Sequence, residues 1–156
     1  MRRVDREVKD INEIISIIKK CDVCRIGLND CEYPYIVPLN FGFSMKEGKI
    51  ELYFHGASVG KKMDLIKQND HAFFEMDCSH KLIEGDRACK YTMEFESVMG
   101  NGTIEIVHNE EKKEALTNLM RQYSTAEEFH FEEREVNSVT VFKLTVDQIT
   151  GKRLKK

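Results

Sequence analysis

The stretch that decides the fold is Ile36-Val37-Pro38-Leu39-Asn40-Phe41-Gly42-Phe43, followed after a short turn by Glu51-Leu52-Tyr53-Phe54-His55-Gly56-Ala57-Ser58-Val59-Gly60-Lys61-Lys62. The apolar run and the alternation after it predict a strand, a turn and a second strand. The small residues that follow predict a bend that opens a helix at two lysines. Such a helix start combines unpaired backbone N–H groups, the positive end of the helix dipole and two cations. The stretch therefore predicts a phosphate-binding site beside a β-hairpin.

Size and charge narrow the class of protein. The chain has 156 residues, of which 41% are hydrophobic and 33% charged, with a net charge of -3. This length predicts a single domain over residues 1–156. The small net charge argues against binding to nucleic acid or to an anionic membrane, and no apolar run approaches the roughly 20 residues of a membrane span. A charged N-terminus and five cysteines predict a cytoplasmic protein with reduced thiols.

The chain contains six segments with the pattern of strands. They are residues 22–28, 33–43, 49–55, 71–77, 91–106 and 138–146. The segment 33–43 is apolar almost throughout, which predicts burial on both faces, while Pro34 and Pro38 predict an edge or a bulge. In the fifth segment the apolar phase slips across residues 99–102, which predicts a bulge or a sharp bend.

About three helices are predicted around these strands. Isoleucines and Val8 at helical spacing predict an N-terminal helix capped by Asp5; a second helix is predicted over 58–67 and a third after Asn109. The stripe of the third helix comprises Leu116, Leu119, Met120 and Tyr123. Residues 79–90 and 125–135 are predicted to be loops. Short connections indicate antiparallel pairing, so the expected fold is mainly β with flanking helices, a six-stranded closed or split β-barrel.

Three groups of residues in the deciding stretch could carry chemistry. Lys61 and Lys62 could hold a phosphate or simply form a solvated helix face. His55 could deliver a proton or be a hydrogen-bonded histidine at a strand end. Pro38 interrupts the ladder, which could leave backbone groups near it free for a flat heteroaromatic ring; a plain edge strand is the alternative.

The cysteines suggest a competing site. Cys21-x-x-Cys24 has the spacing of a metal or redox pair, to which Cys78, His80 and Cys89 could contribute. The pair spans a helix end and a strand, and the chain has no second C-x-x-C. Small buried or unreactive thiols are the favoured interpretation, and no metal site is predicted.

Several motifs together resemble a known family. They are Met1-Arg2-Arg3-x-Asp5-Arg6-Glu7, Val37-Pro38-Leu39-Asn40-Phe41-Gly42-Phe43, Tyr53-Phe54-His55-Gly56-Ala57-x-x-Gly60-x-Lys62, Ser97-Val98-x-Gly100-x-Gly102 and Thr150-Gly151-Lys152. Their order and spacing resemble the pyridoxamine 5′-phosphate oxidase-like superfamily, most of all its nitroimidazole-resistance branch. The resemblance implies an FMN-binding split barrel that works as a homodimer, with two flavin sites at the subunit interface.

The resemblance also implies roles for individual residues. The backbone of Pro38, Leu39, Asn40 and Phe41 would line the isoalloxazine ring. The segment with His55, Gly56, Ala57, Gly60, Lys61 and Lys62 would hold the FMN phosphate, mainly through its lysines. Ser97 and Val98 would lie on a strand near the flavin.

The activity implied is that of an FMN-dependent reductase. It would pass electrons from a nicotinamide nucleotide or another cellular reductant to a small flat acceptor such as a nitroaromatic, with His55 as the catalytic proton donor. A non-catalytic flavin- or haem-binding protein for storage or sensing is the alternative. The arginine that precedes the ring-lining strand in true pyridoxamine phosphate oxidases, and their substrate-binding Arg/His tail, have no clear match. This departure argues against vitamin oxidase activity.

Overall fold

The computed structural model describes residues 3–108 and 111–156. Its strands are β1 Glu7–Val8, β2 Cys24–Leu28, β3 Tyr35–Leu39, β4 Gly42–Lys46, β5 Lys49–Gly56, β6 His71–Ile83, β7 Thr92–Val107 and β8 Thr140–Leu154. Its α-helices are α1 Ile11–Ile18, α2 Lys61–Gln68, α3 Glu111–Tyr123 and α4 Glu133–Ser138. The described residues thus form eight strands and four α-helices, which corrects the expected six and about three. None of these helices is long and apolar enough to cross a membrane.

All described strand pairs are antiparallel and lie in one sheet, as predicted. The strand order is β3-β2-β6-β7-β8-β5-β4, with β1 paired to β8. The two ends of this path, β3 and β4, are separated in the chain only by Asn40 and Phe41, so the sheet must curve back on itself. No register joins β3 to β4 among the described residues, so strand pairing does not close the sheet. The prediction that the strand with Pro38 lies at an edge is confirmed.

The predicted strand 33–43 is two strands. The chain changes direction at Phe41, whose side chain is fully buried and whose backbone N–H donates to Tyr123 Oη at 2.9 Å. At Gly42 a Cβ atom would collide with the backbone of α3 at Asn118 and Leu119, so the chain passes close under that helix. The predicted burial on both faces is also wrong, because Ile36 is 62% exposed on the edge strand.

The N-terminal helix is shorter than predicted. Asp10 is its N-cap and accepts hydrogen bonds from the backbone N–H groups of Asn12 and Glu13. The expected cap, Asp5, lies in a short 3-10 helix, and Val8 lies in β1 opposite Gly151. A carboxylate caps only the turn that directly follows it. Asp10 directly precedes the helix and Asp5 does not, so Asp10 is the cap.

Strands β6 and β7 each have an irregularity in their pairing. The register between β7 and β8 shifts between Asn101 and Gly102, within the range predicted for a bulge, but the extra residue is Asp147 of β8 and not a residue of β7. A second shift falls between Cys78 and Lys81, where Ser79 has a φ of 59°. Beyond it β6 continues to Ile83, so much of the predicted loop 79–90 belongs to the strand. A bulge absorbs an extra residue without ending the ladder, which the sequence pattern does not reveal.

The remaining differences concern helix ends. Helix α2 begins at Lys61 and not near residue 58. The predicted cap Asn109 lies outside the described residues. The stripe of α3 is confirmed at Leu116 and Leu119, which are buried, whereas Met120 and Tyr123 are exposed. Helix α4 begins at Glu133 and so includes the last residues of the predicted loop 125–135. The last strand continues past residue 146 to residue 154.

Among the described residues, two apolar clusters stabilise the fold. The larger fills the space between the curved sheet and helices α1 and α2, with Phe41, Phe54, Phe74 and Phe142 among its fully buried members. The smaller lies between the sheet and α3 and α4 and consists of Tyr53, Val107, Ala115, Leu116, Val136 and Val141. The end of β5, which carries His55, therefore borders the second cluster.

Candidate functional site

The bend before α2 has the backbone geometry that the small residues predicted. Gly60 is the N-cap of α2, with a φ of 125° that side chains rarely adopt. Its carbonyl accepts from the N–H groups of Met63 and Asp64, so the helix is formed from its first turn. The bend itself is exposed at Ala57, Ser58 and Val59. The start of α2 is therefore open to solvent.

The two lysines of this helix start differ in their partners. Lys61 Nζ lies 2.5 Å from Asp30 Oδ2 and 5.3 Å from the centroid of the Tyr35 ring. The hydrogen bond to Asp30 raises the pKa of Lys61. Across residues 3–108 and 111–156, the ion pair at this helix start thus belongs to Lys61 and not to Lys62.

The side chain of Lys62 lies against the end of β5. A Cβ atom at Gly56 would come within 2.8 Å of Lys62 Nζ and 2.9 Å of its Cε. A larger residue at this position would require the end of the Lys62 side chain to move. Sequence analysis grouped Gly56 with Lys62 through a motif, and the structure brings the two into direct contact.

The edge strand β3 places Pro38 opposite Arg25 of β2, and Arg25 lies opposite Glu75 of β6. Residues directly opposite one another in an antiparallel sheet point to the same face. Pro38 therefore shares the exposed outer face of the sheet with Arg25. Arg25 also donates hydrogen bonds to Glu75 and Asp77 at 3.1 and 2.7 Å.

Backbone groups after Pro38 are less free than the sequence suggested. The N–H of Phe41 donates to Tyr123 Oη, which in turn donates to the carbonyl of Asp22 at 2.8 Å. The side chain of Asn40 donates to the same carbonyl at 3.2 Å. Of the predicted ring-lining residues, Pro38 and Asn40 are exposed, Leu39 is half-buried and Phe41 is buried.

Ser97 and Val98 point to opposite faces of β7. Val98 is fully buried in the main apolar cluster. Ser97 lies opposite Asp77 of β6 and Lys152 of β8, and so shares the outer face with Pro38. Only one residue of this predicted pair therefore faces the side of the sheet on which Pro38 lies.

His55 lies at the exposed end of β5, opposite Val141 of β8. It shares a face with Tyr53, as the alternation predicted, but Tyr53 is buried beneath α3. His55 lines a cavity of about 190 Å³ between this strand end and helices α3 and α4. None of the other predicted site residues lines that cavity.

Two of the charged groups in the described residues were not predicted as candidate site residues. One is Arg25 with Glu75 and Asp77, where partial burial and the neighbouring Asp77 raise the pKa of Glu75. Its signal was the charged residue at an outward position of β2. The other surrounds Lys143 Nζ, which lies 2.7 Å from Glu111 Oε1, 3.2 Å from Glu105 Oε1 and 3.8 Å from Glu51 Oε1. These residues are far apart in sequence, so no local motif could reveal the second group.

The described residues offer no set of ligands for the zinc alternative. No group of three or more His, Cys, Asp or Glu side chains within residues 3–108 and 111–156 is arranged to hold a metal ion. Cys21 and Cys24 are buried, and burial raises the pKa of both thiols. A raised pKa disfavours the thiolate that binds metals and attacks disulfides.

Comparison with known proteins places the chain in a family. The family profile described as pyridoxamine 5′-phosphate oxidase matches residues 10–153. A candidate 5-nitroimidazole antibiotic resistance protein from Bacteroides thetaiotaomicron is 36% identical, covers 94% of this chain and 86% of its own, and superposes with a TM-score of 0.81. A search of curated proteins gives no significant match.

Two more distant structures share the fold alone. The flavocytochrome Anf3 from Azotobacter vinelandii is 20% identical, with 100% of this chain and 72% of that chain covered and a TM-score of 0.81. The FAD and heme binding protein from Mycobacterium smegmatis is 16% identical, with 97% and 74% covered and a TM-score of 0.80. The profile match and the 36% identity decide the family. The chain belongs to the pyridoxamine 5′-phosphate oxidase family and resembles its nitroimidazole-resistance branch.

Proposed function

We propose that the protein is an FMN-dependent oxidoreductase that reduces small flat acceptors such as nitroaromatics. The observation that carries the proposal is the ammonium group of Lys62, seated over Gly56 at the start of α2. A phosphate there would meet a cation, the N–H groups of the first helical turn and the positive end of the helix dipole. Family membership and the 36% identity to a candidate nitroimidazole resistance protein support the same assignment.

The described residues fit a flavin phosphate, because the start of α2 is exposed and the ion pair there is made by Lys61 and not by Lys62. Lys62 would bind the phosphate, with Lys61 in a lesser role because Asp30 already pairs with it. Pro38 and Asn40 would contact the ring from the edge strand, and Ser97 from the outer face. When bound, FMN would supply the electron transfer that amino acid side chains cannot perform.

His55 is the proposed proton donor to the acceptor. It is exposed at the end of the strand that continues into Gly56, one residue from the contact with Lys62. An imidazole can donate or accept a proton near neutral pH. We expect His55→Ala to slow turnover while FMN remains bound. Loss of flavin from this variant would instead make His55 a binding residue.

A homodimer is part of the proposal. The outer face of the sheet exposes Ile36, Phe73 and Met99, which are 62%, 48% and 37% accessible. Helices α3 and α4 cover this same face further along β7 and β8, at Val107 and Val141, and leave the part with Ile36, Phe73 and Met99 exposed, where a second copy would bind. Because Pro38 and Ser97 share this face, a flavin held there would lie at the subunit interface. Sedimentation analysis should give a mass of two chains, and Phe73→Asp should lower it.

The absorption spectrum of the untreated protein tests the cofactor. Flavin bands are expected, followed by bleaching when NADH or NADPH is added without oxygen and recovery when a nitroaromatic is added. A Soret band would favour the alternative, a haem-binding protein; a flavin that no nicotinamide nucleotide reduces would favour a non-catalytic flavin binder. Protein that is colourless and cannot be reconstituted with FMN would contradict the proposal. The names of the two distant relatives, which include a flavocytochrome and an FAD and heme binding protein, are the reason to test both chromophores.

A further inference from the structure

The cavity beside His55 has a defined size and a largely apolar wall. It lies between the end of β5, helix α3 and helix α4, and its volume is about 190 Å³. Its lining residues are His55, Leu116, Leu119, Met120, Phe131, Glu135, Val136 and Val139. Six of these eight side chains are apolar, and the two polar groups are an imidazole and a carboxylate.

The wall is held in place by packing on both sides. Leu116 and Val136 belong to the buried cluster beneath α3, and Phe131 and Val139 pack against it. The first residue of α3 is tied to the sheet by the hydrogen bond from Lys143 Nζ to Glu111 Oε1 at 2.7 Å. A preformed wall lowers the ordering cost of binding a ligand.

The volume of the cavity beside His55 limits the size of the ligand that it can bind. An engineered apolar cavity of about 150 Å³ in another protein holds a benzene molecule. The cavity beside His55 is slightly larger, so it accommodates one substituted aromatic ring. In the proposed function the flavin phosphate lies at Lys62, and Lys62 does not line this cavity.

We propose that this cavity binds a single aromatic ring that carries an uncharged hydrogen-bonding substituent. The ring would lie against Leu119, Phe131 and Val136, and the substituent would meet the imidazole of His55. Glu135 would disfavour a ring that carries a carboxylate, because the two negative charges would repel each other. The inference rests on the proposed function in one respect: if His55 delivers a proton to the acceptor, this ring class is the acceptor.

Binding of benzamide and benzoate tests the inference without any reduction. The two rings are closely matched in size and differ in charge, and neither contains a nitro group. With methyl-¹³C-methionine in the purified protein, benzamide should shift the Met120 signal, assigned through Met120→Leu, and leave that of Met99 on the outer face unchanged. Benzoate should bind at least about tenfold more weakly, which corresponds to about 1.4 kcal/mol. A benzamide response at Met99 alone, or none at Met120, would overturn the proposal.

Variants of the cavity wall test whether the ring binds inside the cavity or elsewhere on the protein surface. Val139→Phe fills part of the cavity and should weaken benzamide binding about tenfold or more, whereas Val4→Phe, at an exposed N-terminal position, should not. Glu135→Gln should bring benzoate to within about threefold of benzamide. If Val139→Phe does not fold, Phe131→Ala, which opens the wall, should weaken benzamide in its place. Unchanged binding in the variant that folds would contradict the inference.

Two further readouts keep the outcomes distinct. The flavin spectrum is recorded on the same samples, so loss of ring binding with the flavin retained contradicts only this inference, while absence of flavin contradicts only the proposed function. If Met120 instead shifts on dilution of the protein without a ligand, a second copy of the chain occupies the cavity and the inference is wrong.

Discussion

Two lysine-containing regions of the molecule differ in the groups that surround the ammonium of the lysine. Lys143, on β8 beneath α3, is 12% exposed and faces the carboxylates of Glu51, Glu105 and Glu111. Lys62, at the start of α2, lies over a glycine instead. Burial opposes the charge on Lys143, but its hydrogen bonds to Glu111 and Glu105 prevail and raise its pKa. The first region uses a cation to hold a helix on the sheet, and the second holds one where an anion can reach it.

The Lys143 region also extends into a buried network of hydroxyl groups. Tyr53 donates to Glu51 Oε2 at 2.6 Å and lies 3.0 Å from Ser44 Oγ. Burial and the hydrogen bond to Glu51 raise the pKa of Tyr53 to about 12. Each polar group of this network thus has a partner within the protein, which is the pattern of a structural network.

The largest expected effect comes from removing the enclosed cation. Lys143→Met should lower the free energy of unfolding by about 3 kcal/mol, because it leaves Glu51 buried without its counter-charge. Denaturant titration measures this loss. Lys46→Met is the matched control: Lys46 lies 3.9 Å from the same Glu111 oxygen but is 52% exposed. Its loss should stay below about 1 kcal/mol, and equal losses would show that the enclosure of Lys143 has no special role.

The next-largest expected effect distinguishes Lys62 from its neighbour Lys61. Lys62→Ala should weaken FMN binding by about 1.5–3 kcal/mol, since a charge-assisted phosphate contact is lost. Lys61→Ala should cost less than about 1 kcal/mol, because the exposed Lys61 is already paired with Asp30. Fluorescence titration with FMN measures both affinities. Equal losses would mean that the contact with Gly56 does not distinguish Lys62.

A smaller effect tests the contact between Gly56 and the end of the Lys62 side chain. Gly56→Ala places a methyl group against the ammonium and should weaken FMN binding by about 1 kcal/mol, because the ammonium must move and its contact with the phosphate weakens. In the Lys62→Ala background the same change should have no further effect, because the two sites act through one contact. Additive losses in the double variant would place the role of Gly56 elsewhere.

The smallest effect is the response of the Lys143 region to acid. The hydrogen bond from Lys143 lowers the pKa of Glu111 below the ordinary glutamate value of 4.5. The stability from this pair is therefore present above the unfolded pKa and is lost as the pH falls through the lower folded pKa. Glu111→Gln should lower stability at pH 7 by less than about 1 kcal/mol and reduce its loss on acidification below about pH 4.5. Glu114→Gln, at an exposed position of the same helix, should leave the acid response unchanged.

Local patterns predicted much of the fold. The short turn before Glu51 and the edge position of Pro38 follow from properties of one or two residues each, and both are found. The division of 33–43 into two strands does not follow from such patterns. It depends on Tyr123, at the end of α3, which accepts the hydrogen bond from Phe41 N–H.

Only part of the candidate site was predicted, because a sequence pattern reveals contacts between residues that are close along the chain and not between distant ones. Gly56, Gly60 and Lys62 lie within seven residues, so a short motif captured them. The cross-strand alignment of Pro38 with Arg25 and the enclosure of Lys143 join residues from separate strands and helices. A pattern read along one chain contains no information about which strands become neighbours.

The sequence by itself determined the antiparallel, mainly β character of the protein, the bend at Gly60 and the presence of two cations at the start of a helix, because backbone freedom and side-chain periodicity act over a few residues. Only the tertiary structure decided which cation is available and where His55 points. Asp30 pairs with Lys61, the end of Lys62 lies against Gly56, and helices α3 and α4 line a cavity beside the imidazole. Each of these depends on chain packing between residues that are distant in sequence.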